Sequence, residues 1–275
     1  MYGPAVCLAL GALALTQACS VSQSDERAIG EDEAASVDSQ LPIFGDTVVT
    51  AFVTKLGQSI ASRTSRADLD WRFAVVNTDD LNAFSLPGGF VYVNRGLIEN
   101  SEQLDELAGV MGHEIGHVVR RHSVKQLQKT AKRDVGVVLL CTLTRACHTV
   151  GGAIAVQVGA DAMTARYSQH DEMEADSEAV VNTVRVGFDP EGLPAFLTWM
   201  LEHRTDQPTA IDAFFATHPT DQSRISALER HIARLGLAPT QALVRDTPEF
   251  QAVREHLRAL PPPPTDTSRA TQRQE

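Results

Sequence analysis

The sequence predicts an α+β domain, mostly helical with a small sheet, and three observations carry that prediction. Apolar residues recur at helical spacing through 104–118, 179–184, 193–201 and 222–235. The stretches 69–76 and 89–93 are instead short runs of β-branched, aromatic and small apolar residues, and Pro87-Gly88-Gly89 after Ala83-Phe84-Ser85-Leu86 marks a turn. His113-Glu114-Ile115-Gly116-His117 falls inside the first helical run, so two imidazoles one turn apart project from one helix face. With 275 residues and 43% hydrophobic content the chain holds material for one sizeable core. A formal net charge of −11 argues against a nucleic-acid partner and against electrostatic attachment to anionic lipid.

The N-terminal residues 1–19 read as a signal. The apolar run from Ala5 to Leu15 is shorter than the about 20 residues that a membrane-spanning helix takes, and it suits the apolar core of a secretory signal. Leu15-Thr16-Gln17-Ala18-Cys19 resembles a bacterial lipoprotein signal, in which Cys19 is lipidated and tethers the mature chain to the outer membrane on its periplasmic side. An ordinary cleaved signal and an uncleaved anchor are the alternatives. Residues 20–40, rich in Ser, Asp, Glu and Gln, read as a flexible tether, 41–260 as the folded domain, and 261–275, opening on Pro261-Pro262-Pro263-Pro264, as a disordered tail.

The helix carrying His113 and His117 is expected to start at a cap formed by Asn100 with Gln103 and to run to about Arg121 as an amphipathic helix. Gly109, Gly112 and Gly116 weaken it by up to about 1 kcal/mol each, which predicts that other backbones pack closely there. Two His at this spacing with a Glu between them suit a zinc ion held by the imidazoles, beside a carboxylate that takes a proton from attacking water. A zinc site of this kind needs a third protein ligand and one open position. Ser168 to Asp176 supplies candidates: Glu172 and Asp176 share a face one turn apart, whereas Glu174 points roughly 200° away at about 100° per residue. Glu172 then binds the metal, Asp176 fixes the tautomer of a ligand His, and Glu174 is a surface carboxylate or an outer support of the site. An acidic first turn on an exposed helix is the competing explanation of the same residues.

Between the two motifs, 135–163 is apolar but interrupted by Arg145, His148, Gly151 and Gly152, which suggests a hairpin of two short helices. Cys141 and Cys147 are the only cysteines of the mature fold and are expected to be bridged near its tip, with free buried thiols as the alternative. On one straight helix they would be about 9 Å apart along the axis, so a bridge requires a break between them. A membrane-spanning hairpin is less compatible with the length of either half.

Taken together, His113-Glu-x-x-His117 and Tyr167-Ser168-x-x-x-Glu172-x-Glu174-Ala175-Asp176 resemble the zinc metallopeptidases that include the CAAX prenyl protease, HtpX and the periplasmic BepA and LoiP. The segments 82–98, Gly187-Phe188-Asp189-Pro190 and Thr217-His218-Pro219 with Arg224-Ile225 extend the resemblance over roughly residues 45 to 235. It implies a zincin-like (gluzincin) fold and one zinc per chain held by His113, His117 and Glu172, with Glu114 as general base and Asp176 behind a ligand. It also implies an edge strand near the metal that pairs with extended protein or peptide substrates. His218 is pointed at the site with two competing roles: a fourth zinc ligand that holds the enzyme latent, or an oxyanion donor assisted by Arg224. A solely structural His before Pro219 is the third possibility. The implied function is a zinc-dependent endopeptidase of the bacterial envelope acting on misfolded or outer-membrane proteins. A chaperone-like assembly factor with latent proteolysis is the rival, and the oligomeric state is open.

Overall fold

Residues 21–133, 167–205, 210–238 and 242–264 are described by a computed structural model. In chain order they form α1 (Gln23–Gln40), α2 (Thr47–Ala61), β1 (Arg72–Val76), β2 (Ala83–Leu86), β3 (Phe90–Asn94), α3 (Arg95–Asn100), α4 (Leu104–Val119) and α5 (His122–Arg133). After the undescribed stretch come α6 (Gln169–Val186), α7 (Gly192–Glu202), α8 (Asp212–Thr217), α9 (Gln222–Arg234) and α10 (Pro248–Ala259). The described residues are thus mostly helical with one three-stranded sheet, the α+β, zincin-like class expected from the periodicities and the resemblance. Cys19, Cys141 and Cys147 lie outside the described residues, as do the proposed hairpin and most of the tail. Among the described residues no helix is long and apolar enough to cross a membrane.

The sheet order is β1-β3-β2, with β1 parallel and β2 antiparallel to β3. Gly88 and Gly89 make the β2–β3 turn with φ of 79° and 104°, values that L side chains avoid. Ala83, Val91, Val93 and Val75 face a core shared with α2, α4 and α7. Their neighbours Phe84, Leu86, Phe90, Tyr92 and Val76 face the other way and are covered by Ala34 and Val37 of α1. Because both faces are covered, β2 and β3 are buried throughout and lack the polar alternation of a half-exposed strand.

That second cover corrects the tether assigned to residues 20–40. Ser22 caps α1, its Oγ accepting from the Asp25 amide at 3.1 Å, and Glu26 is buried against Arg66 at 2.8 Å and Arg121 at 2.8 Å. Composition hid the helix because its buried face, Glu26, Gly30, Glu33, Ala34 and Val37, carries only two aliphatic side chains larger than a hydrogen atom. Its docking rests on arginines distant in sequence. The tail begins similarly tied, the Pro261 carbonyl accepting from Arg95 Nη1 at 2.6 Å.

Helix α4 is buried on every side rather than amphipathic toward solvent. Its glycines explain how: a Cβ at Gly109 would lie 2.7 Å from Leu193 Cβ on α7, and one at Gly116 would lie 2.8 Å from the Ala175 carbonyl oxygen on α6. The start differs from the expected Asn100 cap. Asn100 Nδ2 donates to the Gly96 carbonyl at 2.8 Å and so closes α3. The N-terminus of α4 is instead satisfied by Glu106, whose carboxylate accepts from the amides of Glu102 at 2.6 Å and Gln103 at 3.4 Å. Its end is set by Arg121, which turns the chain with φ of 57°.

Glu33 is the one carboxylate of α1 that is fully buried with neither oxygen hydrogen-bonded, and burial pushes its pKa from 4.5 up to about 7. A folded-state pKa above the unfolded one contributes stability that is complete below pH 4.5 and is lost as pH rises through about 7. Glu33→Gln is therefore expected to stabilise the fold by about 1–3 kcal/mol at pH 8 and by little at pH 4.5. Thermal unfolding of both forms at the two pH values checks this; equal gains at both would contradict it.

Candidate metal centre

The i, i+4 spacing brings His113 and His117 out of α4 side by side, with their Nε2 atoms 2.9 Å apart. Facing them, the first turn of α6 is fixed by a reciprocal cap: Ser168 Oγ accepts from the Asp171 amide at 3.3 Å, and the Asp171 carboxylate accepts from the Ser168 amide at 3.2 Å. The next residue, Glu172, places Oε2 3.4 Å from His113 Nε2 and Oε1 3.4 Å from His117 Nε2. His218, at the end of α8, completes the group with Nδ1 3.2 Å from both His113 Nε2 and Glu172 Oε1. One ligand atom from each of the four lies within 4.8 Å of the others, and no member is more than 1% exposed.

Glu114 lies beside this group. Its Oε2 accepts from Ser85 Oγ of β2 at 3.0 Å, while Oε1 is buried without a hydrogen bond and lies 3.3 Å from His218 Nε2. Ser85 also identifies β2 as the sheet edge nearest the site, which the sequence left undecided. Ser85 was not among the sequence-derived site residues, since a serine in a short apolar strand gives no signal of its own.

The supporting residues divide as the helix geometry dictates. Asp176 Oδ1 is 2.8 Å from His113 Nδ1, on the far side of that ring from Glu172. Arg224 grips Asp176 with two bonds, Nε to Oδ2 at 2.8 Å and Nη2 to Oδ1 at 2.7 Å, and turns Nη1 to the Glu172 carboxylate and to Thr220 Oγ1 at 3.1 Å. Those donors meet two carboxylates of the site and hold α6 against α9. Glu174 points away, to Lys125 at 3.4 Å, Arg120 at 3.6 Å and His122 at 3.2 Å. Two further side chains touch the group without having been assigned a role from sequence. The Tyr167 ring stacks on His117 with centroids 3.9 Å apart, and His122 Nδ1 lies 2.9 Å from His117 Nδ1.

The electrostatics of the group follow from its burial and from its neighbours. Burial, joined by the nearby Glu172 charge, raises Glu114 against the opposing influence of His218, His113 and the Ser85 hydrogen bond. Burial acts the same way on Glu172 and Asp176, but His218 and His113 for Glu172, and the Arg224 guanidinium and then His113 for Asp176, more than offset it and hold both below the usual carboxylate range. For His113 the order is reversed: burial lowers its pKa, and Glu172 and Asp176 overcome that to bring it to about 9. His117 is pushed well below its ordinary value by burial and by the charge on His113. Three buried carboxylates, Glu114, Glu172 and Asp176, thus face one guanidinium, that of Arg224. Nitrogen and carboxylate donors converging in such a setting fit a divalent cation of the zinc type.

A His-Glu-x-x-His helix beside an edge strand, with a carboxylate brought in by a second helix, defines the zincin-like metallopeptidases. The chain belongs to peptidase family M48, whose model matches residues 49–232. It is 28% identical to the beta-barrel assembly-enhancing protease of Yersinia pestis over 80% of this chain and 46% of that protein. It is likewise 28% identical to the protein of that name in Escherichia coli K12 over 75% and 44%. The mitochondrial metalloendopeptidase OMA1 of Schizosaccharomyces pombe is 29% identical over 70% of this chain and 55% of its own length. The chain spans about half the length of these relatives.

Removing Asp176 leaves His113 Nδ1 and Arg224 without their shared partner. Asp176→Ala is expected to weaken zinc binding by about 10- to 100-fold, measured by competition with a chromogenic chelator. An unchanged affinity would show that the carboxylate serves only to pair Arg224.

Proposed function

We propose that the chain is a zinc-dependent endopeptidase of the bacterial cell envelope, in which His113, His117 and Glu172 hold the metal and Glu114 is the general base. The observation that carries this reading is the convergence of the two Nε2 atoms and the Glu172 carboxylate, with an unbonded oxygen of Glu114 at its side. Zinc, when bound, acidifies water and polarises the scissile carbonyl. Glu114 Oε1 takes the proton of the attacking water and returns it to the leaving amine, while Ser85 holds Oε2 and so the orientation of the carboxylate. Burial, which raises the Glu114 pKa, suits a group that must accept and then release a proton. Strand β2 lies at the sheet edge beside Glu114 and suits an extended polypeptide laid along it. The names of the bacterial relatives support envelope proteins as the substrate class, and anchoring through Cys19 in the periplasm belongs to the same reading.

His218 is the latch in this scheme. Its Nδ1 lies 3.2 Å from His113 Nε2 and Glu172 Oε1, and its Nε2 is 3.3 Å from Glu114 Oε1, so the ring would compete with water for a bound metal and also covers the base. Activity then requires the 218–221 segment to swing away.

The test is cleavage of an unfolded protein such as casein by wild type, Glu114→Gln and His218→Ala, with zinc content measured on all three. Glu114→Gln is expected to keep zinc and lose activity by about 10²-fold or more. His218→Ala is expected to raise activity; a fall with zinc retained would assign the ring to oxyanion stabilisation instead. Full activity of Glu114→Gln would overturn the peptidase mechanism.

A further inference from the structure

The two histidines of the motif are supported unequally. His113 Nδ1 meets a carboxylate directly, Asp176 at 2.8 Å. His117 has no carboxylate at Nδ1; it has a second imidazole, Nδ1 of His122 at 2.9 Å, and behind that ring His122 Nε2 is 3.2 Å from Glu174 Oε2. We infer that His122 is the positioning residue of His117, an imidazole relay that passes the orienting influence of the Glu174 carboxylate to the second metal ligand. This rests on the reading of His117 as a ligand through Nε2.

Proton bookkeeping along the chain of nitrogens leaves one arrangement. A neutral His117 that offers Nε2 to a metal carries its hydrogen on Nδ1. That hydrogen must be accepted, and the atom in reach is His122 Nδ1, which is therefore the bare nitrogen of its ring. The hydrogen of His122 then sits on Nε2 and is donated to Glu174 Oε2. Each hydrogen bond fixes the tautomer of the next ring, and both rings are almost fully buried, so water offers His117 no substitute partner.

The backbone is arranged for this contact. Arg121, the second of the two residues between α4 and α5, takes φ of 57°, a left-handed conformation that a long side chain avoids, and the turn sets His122 back against the last turn of α4. Tyr167 closes the other side, stacked on His117 and hydrogen-bonded through its hydroxyl to Ser123 Oγ at 3.0 Å, so the ring cannot rotate away. The trio His122, Asp171 and Glu174 also has the spacing of a second cation site. Glu174 is already met by Arg120 at 3.6 Å, Lys125 at 3.4 Å and His170 at 3.7 Å, so positive charge there is supplied by side chains. His122 Nδ1 faces His117 and not the carboxylates, which favours the relay.

The full chain is compared with His122→Phe, which keeps the ring volume without an acceptor, and with His122→Gln, whose amide oxygen accepts from His117 and whose amide nitrogen donates to Glu174. His122→Phe is expected to weaken zinc binding by about 10- to 100-fold in chelator competition and to change the visible spectrum of the Co2+-substituted protein. His122→Gln should restore affinity to within a few-fold, although the metal-free forms of the two variants melt at similar temperatures. Wild-type affinity in His122→Phe, failure of His122→Gln to restore it, or a second zinc lost in Glu174→Ala would each overturn the relay. His117→Ala separates the two levels: undiminished zinc binding there overturns the ligand reading itself, whereas a lost site with an unaffected His122→Phe removes the relay alone.

Discussion

The close approach of α4 and α6 is the constraint on which the centre depends. Atoms that share one metal ion lie within about 4 Å of one another, because each bond is only about 2.0–2.2 Å long. Helices packed through large side chains stand some 8–10 Å apart and would hold Glu172 out of reach of the two imidazoles. At Gly116 the Ala175 backbone takes the space of a side chain, and at Gly112 a Cβ would lie 3.3 Å from the Ala179 Cα. The helix propensity forgone at these glycines, up to about 1 kcal/mol each, is exchanged for the position of a carboxylate.

Once the helices are that close, buried charge locks the remaining elements to them. Asp176 serves His113 on one side and Arg224 on the other, so α6 and α9 cannot separate without exposing an unpaired guanidinium or carboxylate to an apolar core. Arg224 also bonds Thr220 Oγ1, which ties the segment carrying His218 to the same network. On the opposite side Glu26 of α1 pairs with Arg66 and with Arg121, the residue that redirects the chain into α5. The N-terminal helix and the turn that aims His122 at His117 are thereby held by one carboxylate.

Side-chain direction along a helix was legible in the sequence. One turn separates His113 from His117 and Glu172 from Asp176, and the structure puts each pair on one face with Glu174 turned away, because a helix allows nothing else at those spacings. The crowded glycines of α4 were legible for the same reason, as a cost that only close packing offsets. Residues 20–40 were not. Their polar composition describes a solvated chain unless Arg66 and Arg121 are known to wait for Glu26. The role of Arg224 was not legible either, because a cation near a metal motif suits several, and its bonds to Asp176 appear only in the tertiary structure.

What the sequence by itself determined is local: which segments coil, which side chains share a face, and which residue types can grip a metal and move a proton. These follow from periodicity and from the chemistry of the side chains, and neither needs a partner. Tertiary structure alone decided which oxygen meets which nitrogen. That the Glu114 carboxylate rests on Ser85, that His218 turns both ring nitrogens inward, and that His117 is backed by His122 while His113 is backed by Asp176 are outcomes of packing between segments distant in the chain or of a single left-handed residue. Hydrogen bonds are made or lost over a few tenths of an ångström, and no pattern of residue spacing fixes distances between separate helices so finely.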